Sequence, residues 1–393
     1  MNASIHDSLL KRESTLNDYS SNSVSVSTSD IDAGENELDS LSQDSDLIFV
    51  LEKQREAVKA VSPRNTETDI SNALLGSIND AALELEVING WTEGGKAMFS
   101  SIISGMFDEI SKDGIQGIEL EDTLQLIILE LMVNADKYGL SEWISDPKIK
   151  PCIEHLLESV GSATHGLHEH ENGWNKEETL AQAAAFILYE LKDLGPFDSS
   201  TLLNKLLSVS QLNTDDGINN LYRTIKDNYH NGEGWLIYDT NTQNGTSAAT
   251  ELSPLITLMI LSDVLNTSPD ITREQMESFL SRDISKIESV MKSVLKEPAT
   301  IKDWINRDND KWQIQVPNYG DTGGHGGQLD WIGDGLNLID LENIYNNFPS
   351  RVLSDEDIKE INRIGDNVKM VMQTLKYWFQ ILRDERVAIA RNI

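Results

Sequence analysis

SDEDIKEINRIGDNVKMVMQTLKYWFQILRDERVAIAR, residues 354–391, places apolar side chains at three-four spacing across its whole length. Ser354 stands where a helix N-cap belongs. Asp355, Glu356 and Asp357 follow at the positive end of the helix dipole, and Arg383, Arg386 and Arg391 lie toward the negative end. Between them run Ile361, Ile364, Val368, Val371, Leu375, Trp378, Leu382, Glu385 and Ile389, with a single break at Glu385. This spacing predicts a helix over 354–390, about 55 Å long at 1.5 Å per residue. Its heptad seam is Ile361, Ile364, Val368, Val371, Leu375, Trp378, Leu382 and Ile389, which we read as a self-association seam. Met372, Phe379 and Ile381 flank that seam and widen it.

The charge of this end differs from that of the chain. In 393 residues there are 65 acidic and 32 basic side chains, a formal charge of −33. Residues 354–393 carry seven acids and seven bases, so the other residues hold the whole surplus. A nucleic-acid backbone requires a concentrated basic face, and the chain has none. A polybasic membrane patch is disfavoured for the same reason. One cysteine, Cys152, excludes an intrachain disulfide. The N-terminus lacks the charged, apolar and small-residue layout of a cleaved signal peptide. The longest apolar runs, Leu124–Met132 and Leu255–Leu261, fall well short of the roughly 20 residues that cross a bilayer.

Residues 1–45 are rich in serine and acids and are expected to form a disordered, secretion-signal-like tail. A short helix is predicted over 46–62, then helices over 71–88, 93–112, 120–138, 149–161, 176–194, 198–210 and 215–229. Residues 231–252 are polar and glycine-rich, and we expect a linker around one short strand, Trp235–Tyr238. Ser253-Pro254 starts a helix through Leu265, and an amphipathic stretch covers about 270–297. An irregular insert follows, with a hairpin expected around Trp312–Val316 and a glycine-rich loop over 320–335. The expected fold is mainly α: a helical domain of unknown role over 46–230, plus a C-terminal long-helix coiled coil over 253–393 with a small irregular or β insert. Leu140–Asp146 echoes Ile301–Arg307, a weak internal similarity without a strict period.

The order of features after residue 250 is shared with a known family. An apolar helix at Leu255–Leu265 and an amphipathic continuation precede Tyr319-Gly320-Asp321, Gln328-Leu329-Asp330 and Gly335-Leu336 with Ile339 and Leu341. Ile344-Tyr345-Asn346-Asn347, Ser350-Arg351 and the final helix ending Ile389-Ala390-Arg391-Asn392-Ile393 complete the order. This region resembles the EspA/SseB/EseB group of type III secretion filament proteins. The resemblance implies two long helices that form a polymerising coiled coil, and a secreted, cell-surface virulence protein exported without a cleaved signal. It also implies partnership with itself, with needle and translocator proteins and with a secretion chaperone, and contact with a host membrane only indirectly. About 240 preceding residues have no counterpart in the typical, shorter member. The alternatives are a secreted effector whose helical region 71–230 acts on a host target, and a non-secreted helical scaffold.

Candidate chemistry is sparse, and no enzyme activity and no cofactor are expected. His165, His168 and His170 sit close together, but their spacing fits no standard zinc pattern. Cys152 and His155 fall three apart on a predicted helix, the arrangement a thiol nucleophile needs. Gly320–Gly327 lacks the lysine of a phosphate loop, and Asp321, Asp330 and Asp334 do not fit a calcium-binding helix–loop–helix. Each of these reads as loop or core.

Overall fold

The computed structural model describes residues 32, 36, 38, 47–60, 65–112, 114–165, 176–229, 234, 236, 249–307, 312–314, 329–331, 336–353 and 355–391. Expectations on Ser354, the loop at 320–328, His168, His170, Asp321 and Asp334 lie outside them. The protein is mainly helical. From Leu47 onward its helices are α1 (Leu47–Ala60), α2 (Asn65–Glu93), α3 (Gly95–Ser111), α4 (Ile118–Asn134), α5 (Ser141–Ile144) and α6 (Ile149–Ser159). Next come α7 (Glu177–Leu194), α8 (Leu202–Val209), α9 (Asp215–Asn228), α10 (Pro254–Thr267), α11 (Arg273–Leu280), α12 (Ile284–Val294) and α13 (Ile301–Asn306). Strands β1 (Trp312–Ile314) and β2 (Leu329–Trp331) precede α14 (Leu338–Tyr345) and α15 (Asp355–Arg391).

The chain forms two compact units, residues 83–359 and residues 1–82 with 360–393. This division departs from the expected one. A single apolar core runs from Leu83 to Phe348, so residues 253–359 share it with the helices before 230. The segment 231–252, of which few residues are described, separates no two cores. The physical reason is α4. Every residue from Leu120 to Asn134 on it is buried, so the helix needs partners on all sides. It is in contact with α3, α6, α8 and α9 from one part of the sequence and with α10 and α14 from the other.

Burying α4 whole also buries its polar side chains, and each is answered. Gln125 Nε2 donates to the Leu157 and Val160 carbonyls, both at 2.8 Å, and its Oε1 accepts from Leu255 N at 3.2 Å. Asp122 accepts from Ser162 N, from Ser162 Oγ and from Arg282 Nη1 at 2.6 Å. Glu121 accepts from Gly161 N at 3.0 Å and lies 2.6 Å from His165 Nε2. These bonds tie the turn at 160–165 and the loops at 250–255 and 282 to one helix.

Local signals set most boundaries. Ser253 Oγ accepts from Ile256 N with Pro254 in the first turn of α10, as expected. Thr272 with Gln275 and Asn337 with Asp340 form capping boxes on α11 and α14. The amphipathic stretch expected over 270–297 is two helices, because Arg282 adopts φ 57° and Asp283 caps α12 through Lys286 N. The hairpin expected around 312–316 is instead a ribbon with a distant partner. β1 pairs antiparallel with β2, Trp312 opposite Trp331, with ring centroids 5.0 Å apart at 84°. Leu236, the described residue of the strand expected at 235–238, lies outside any strand. In the expected disordered tail, Asp32, Asn36 and Leu38 are helical and Leu38 is 2 % exposed, so an apolar residue there has found a core.

Arg282→Met should lower the stability of the 83–359 unit by about 3–5 kcal/mol, because it breaks a buried ion pair by removing one partner. Urea unfolding followed by circular dichroism measures this, and adding Asp122→Asn should recover part of the loss.

Candidate interaction surface

Helix α15 spans 37 residues, and its expected extent of 354–390 agrees with the observed one to a residue. Ile364, Val368, Val371, Leu375, Trp378 and Leu382 are buried, Ile361 is partly buried, and the side chain of Ile389 lies outside those described. Phe379 is fully buried and stacks with Trp378 at 5.7 Å. Seven of the eight seam positions are thus buried or partly buried in the single chain. The seam is covered within its own chain.

Its cover comes from the same compact unit. On α1 the buried residues are Val50, Leu51, Gln54, Ala57 and Val58, which repeat the three-four spacing of a helix seam. Gln54 Nε2 donates to the Val368 carbonyl at 3.0 Å across the two helices. Leu74, Ile78 and Ala81 on α2 are also buried in this unit. The spacing on α1 was visible in Leu47–Ala60, but only the long helix suggested that it needed a partner.

A second face of α15 has no such cover. Met370 is 60 % exposed, Tyr377 66 % and Ile381 40 %, so Ile381, expected to widen the seam, lies outside it. At about 100° per residue, 370, 377 and 381 lie within one narrow sector, well away from the seam. Single exposed apolar residues are ordinary, but three aligned on one face of a long helix form a stripe.

Cys152, His155 and His165 each make bonds within the fold. Cys152 Sγ donates to the Lys148 carbonyl at 3.3 Å, and burial pushes its thiol upward, so it stays protonated rather than nucleophilic. His155 Nδ1 lies 2.9 Å from Glu158 Oε1, three residues on along the same helix. His165 is 3 % exposed, stacked on Tyr229 at 4.1 Å, and bonded to the Tyr229 carbonyl and to Glu121. A Cβ on Gly234 would stand 1.9 Å from His165 Nδ1, so only glycine allows this close approach. Among the described residues no group of three His, Cys, Asp or Glu side chains is placed to hold a metal ion. No described helix is long and apolar enough to cross a membrane.

Glu130 is a carboxylate shifted by its surroundings. Burial raises its pKa above the ordinary value of 4.5, opposed by hydrogen bonds from Tyr138 and Ser100. The Tyr138 hydroxyl is pushed upward in turn, first by burial and then by the Glu130 charge. Glu130 is fully buried, and its part-buried bond with Tyr138 is 2.6 Å long. Protein-family models, curated proteins and solved structures contain no match to this chain.

Two consequences are measurable. Leu375→Asp should unfold the 1–82/360–393 unit, since it puts a charge in a fully buried seam; loss of helical ellipticity and rapid proteolysis within that unit are the readouts. Glu130 contributes stability that is present below pH 4.5 and is lost as pH rises through its raised folded value. The urea midpoint of Glu130→Gln should accordingly gain on that of the unaltered chain as pH rises above 4.5.

Proposed function

We propose that this chain is a secreted structural component of a type III secretion apparatus, a filament, tip or translocon-associated protein, and that it works by self-association through α15. The observation that carries the reading is the long helix. It is charge-balanced in a chain of −33, and it keeps an exposed apolar stripe after its seam has been filled. A neutral helix can approach a second one without the repulsion that the acidic remainder generates. The resemblance over residues 250–393 supplies the secretion context, and with it the needle, translocator and chaperone partners. The surplus acid elsewhere acts as a solubilising coat.

The filled seam changes how association takes place. Val371 and Leu375 serve the chain's own core, and the surface for meeting other molecules is the stripe at Met370, Tyr377 and Ile381. A second reading, a helical scaffold or effector, draws on the unit 83–359, which has a core of its own.

Tyr377→Glu separates assembly from folding. In the full chain it should abolish concentration-dependent association in sedimentation and by electron microscopy, with ellipticity and the urea midpoint unchanged. Export into the medium should be lost on deleting residues 1–20. Association that is indifferent to Tyr377→Glu would sink the stripe, and export that is indifferent to the deletion would sink the secreted reading in favour of the scaffold.

A further inference from the structure

The residues of α15 that share the heptad position of Met370 form a pattern that reads the same from both ends. Stepping by seven gives Arg363, Met370, Tyr377 and Asp384. The sequence continues it one step outward in each direction, to Glu356 and Arg391. A two-fold axis between Gln373 and Thr374 maps Met370 onto Tyr377, Arg363 onto Asp384 and Glu356 onto Arg391. Every pair so formed is complementary, apolar with apolar or cation with anion. A parallel, in-register copy would instead set Arg363 against Arg363 and Asp384 against Asp384, and like charges at that spacing repel.

We propose that the exposed stripe of α15 docks a second copy of this chain, antiparallel, about a two-fold axis between Gln373 and Thr374. This rests on the reading of α15 as the self-association element, and it adds the orientation, the register and the groups that enforce them. The occupant follows from charge complementarity. One helix contains both halves of the code, so the surface that best matches this stripe is the same stripe reversed. The contact is isologous, and each pair occurs twice. Met370 and Tyr377 meet next to the axis, where the Met370 thioether rests against the aromatic ring of the other copy. Arg363 and Asp384 lie about 16 Å from the axis on each side, at 1.5 Å per residue.

The groups around these charges are consistent with the exchange. Arg363 forms an exposed bond with Glu360 within its own helix, 2.9 Å from Nε to Oε1. An exposed pair three residues apart is worth little, so a carboxylate from another copy can compete with Glu360 for the guanidinium. Thr374 Oγ1 donates to the Met370 carbonyl, so the residue beside the axis keeps its polar atom on its own helix. Ile381 falls opposite Asp366 of the second copy, where the isoleucine covers the methylene of the aspartate and its carboxylate remains at the rim.

The test uses the full chain with Cys152→Ser and one introduced cysteine, treated with a homobifunctional maleimide about as long as one interhelical spacing of 8–10 Å. Thr374→Cys lies beside the axis and should give a covalent dimer. Asp366→Cys should not, because its own counterpart is about 22 Å away along the helix. Crosslinking through both positions means a parallel pair and overturns the proposal. Charge reversal supplies the independent arm by sedimentation equilibrium. Arg363→Glu should weaken the dimer about tenfold, since two repulsive pairs replace two attractive ones. Arg363→Glu with Asp384→Arg should restore it. Association that persists unchanged through Arg363→Glu overturns the antiparallel register while the self-association reading stands. A chain that stays monomeric throughout the micromolar range overturns both.

Discussion

A helix buried on every side has to account for each of its polar atoms, and α4 carries Glu121, Asp122, Gln125, Glu130 and Asn134. That requirement organises the unit 83–359. Asp122 meets Arg282 at 2.6 Å, and Arg282 stands where the chain breaks between α11 and α12. Gln125 spans the gap between the end of α6 and the start of α10. Glu130 and Asn134 secure Ser100 on α3. The apolar core supplies most of the energy, as in any domain, but it would tolerate several arrangements of neighbouring helices. The polar partners select one.

The other unit follows a different logic. Its buried apolar residues lie along helices at regular spacing, on α1 at 50, 51, 54, 57 and 58 and on α15 from 364 to 382. Their periodicity alone brings the faces together. Little side-chain chemistry is needed, and the charges of α15 are left on the remaining faces. The core-forming seam and the exposed stripe therefore occupy separate sectors of one helix. Substitutions can address folding and association one at a time.

How much of this was legible in the sequence depended on the range of the interaction. Helix limits set by local groups were readable, as with Ser253 and Pro254 at α10 or the apolar run of α4. Pairings between distant residues were not. Trp312 gave no sign that its strand partner was Trp331, because the two are separated by a glycine-rich stretch with no strand pattern. Arg282 looked like one more surface cation on an amphipathic helix, and only the fold discloses that Asp122 awaits it. The seam of α15 was legible residue by residue, and its contact with α1 was not. Heptad spacing states that a face will be buried and is silent on whether the burying helix belongs to the same molecule. The charge pattern around Met370 and Tyr377 was present in the sequence from the start. It acquired meaning once their exposure separated that sector from the seam.

Gln54 is the single buried amide in the row of apolar residues on α1. Its Nε2 bonds the Val368 carbonyl, and its Oε1 is enclosed without a partner. A polar group in such a row lowers stability and in return acts as a detent. Sliding α1 by one heptad along α15 would replace Val368 with another carbonyl and lose the fit between Leu47 and the bare backbone at Gly365. The two helices therefore hold one alignment where apolar packing alone would accept several. Since α15 also displays the stripe, that alignment sets the height at which the stripe is offered to whatever meets it.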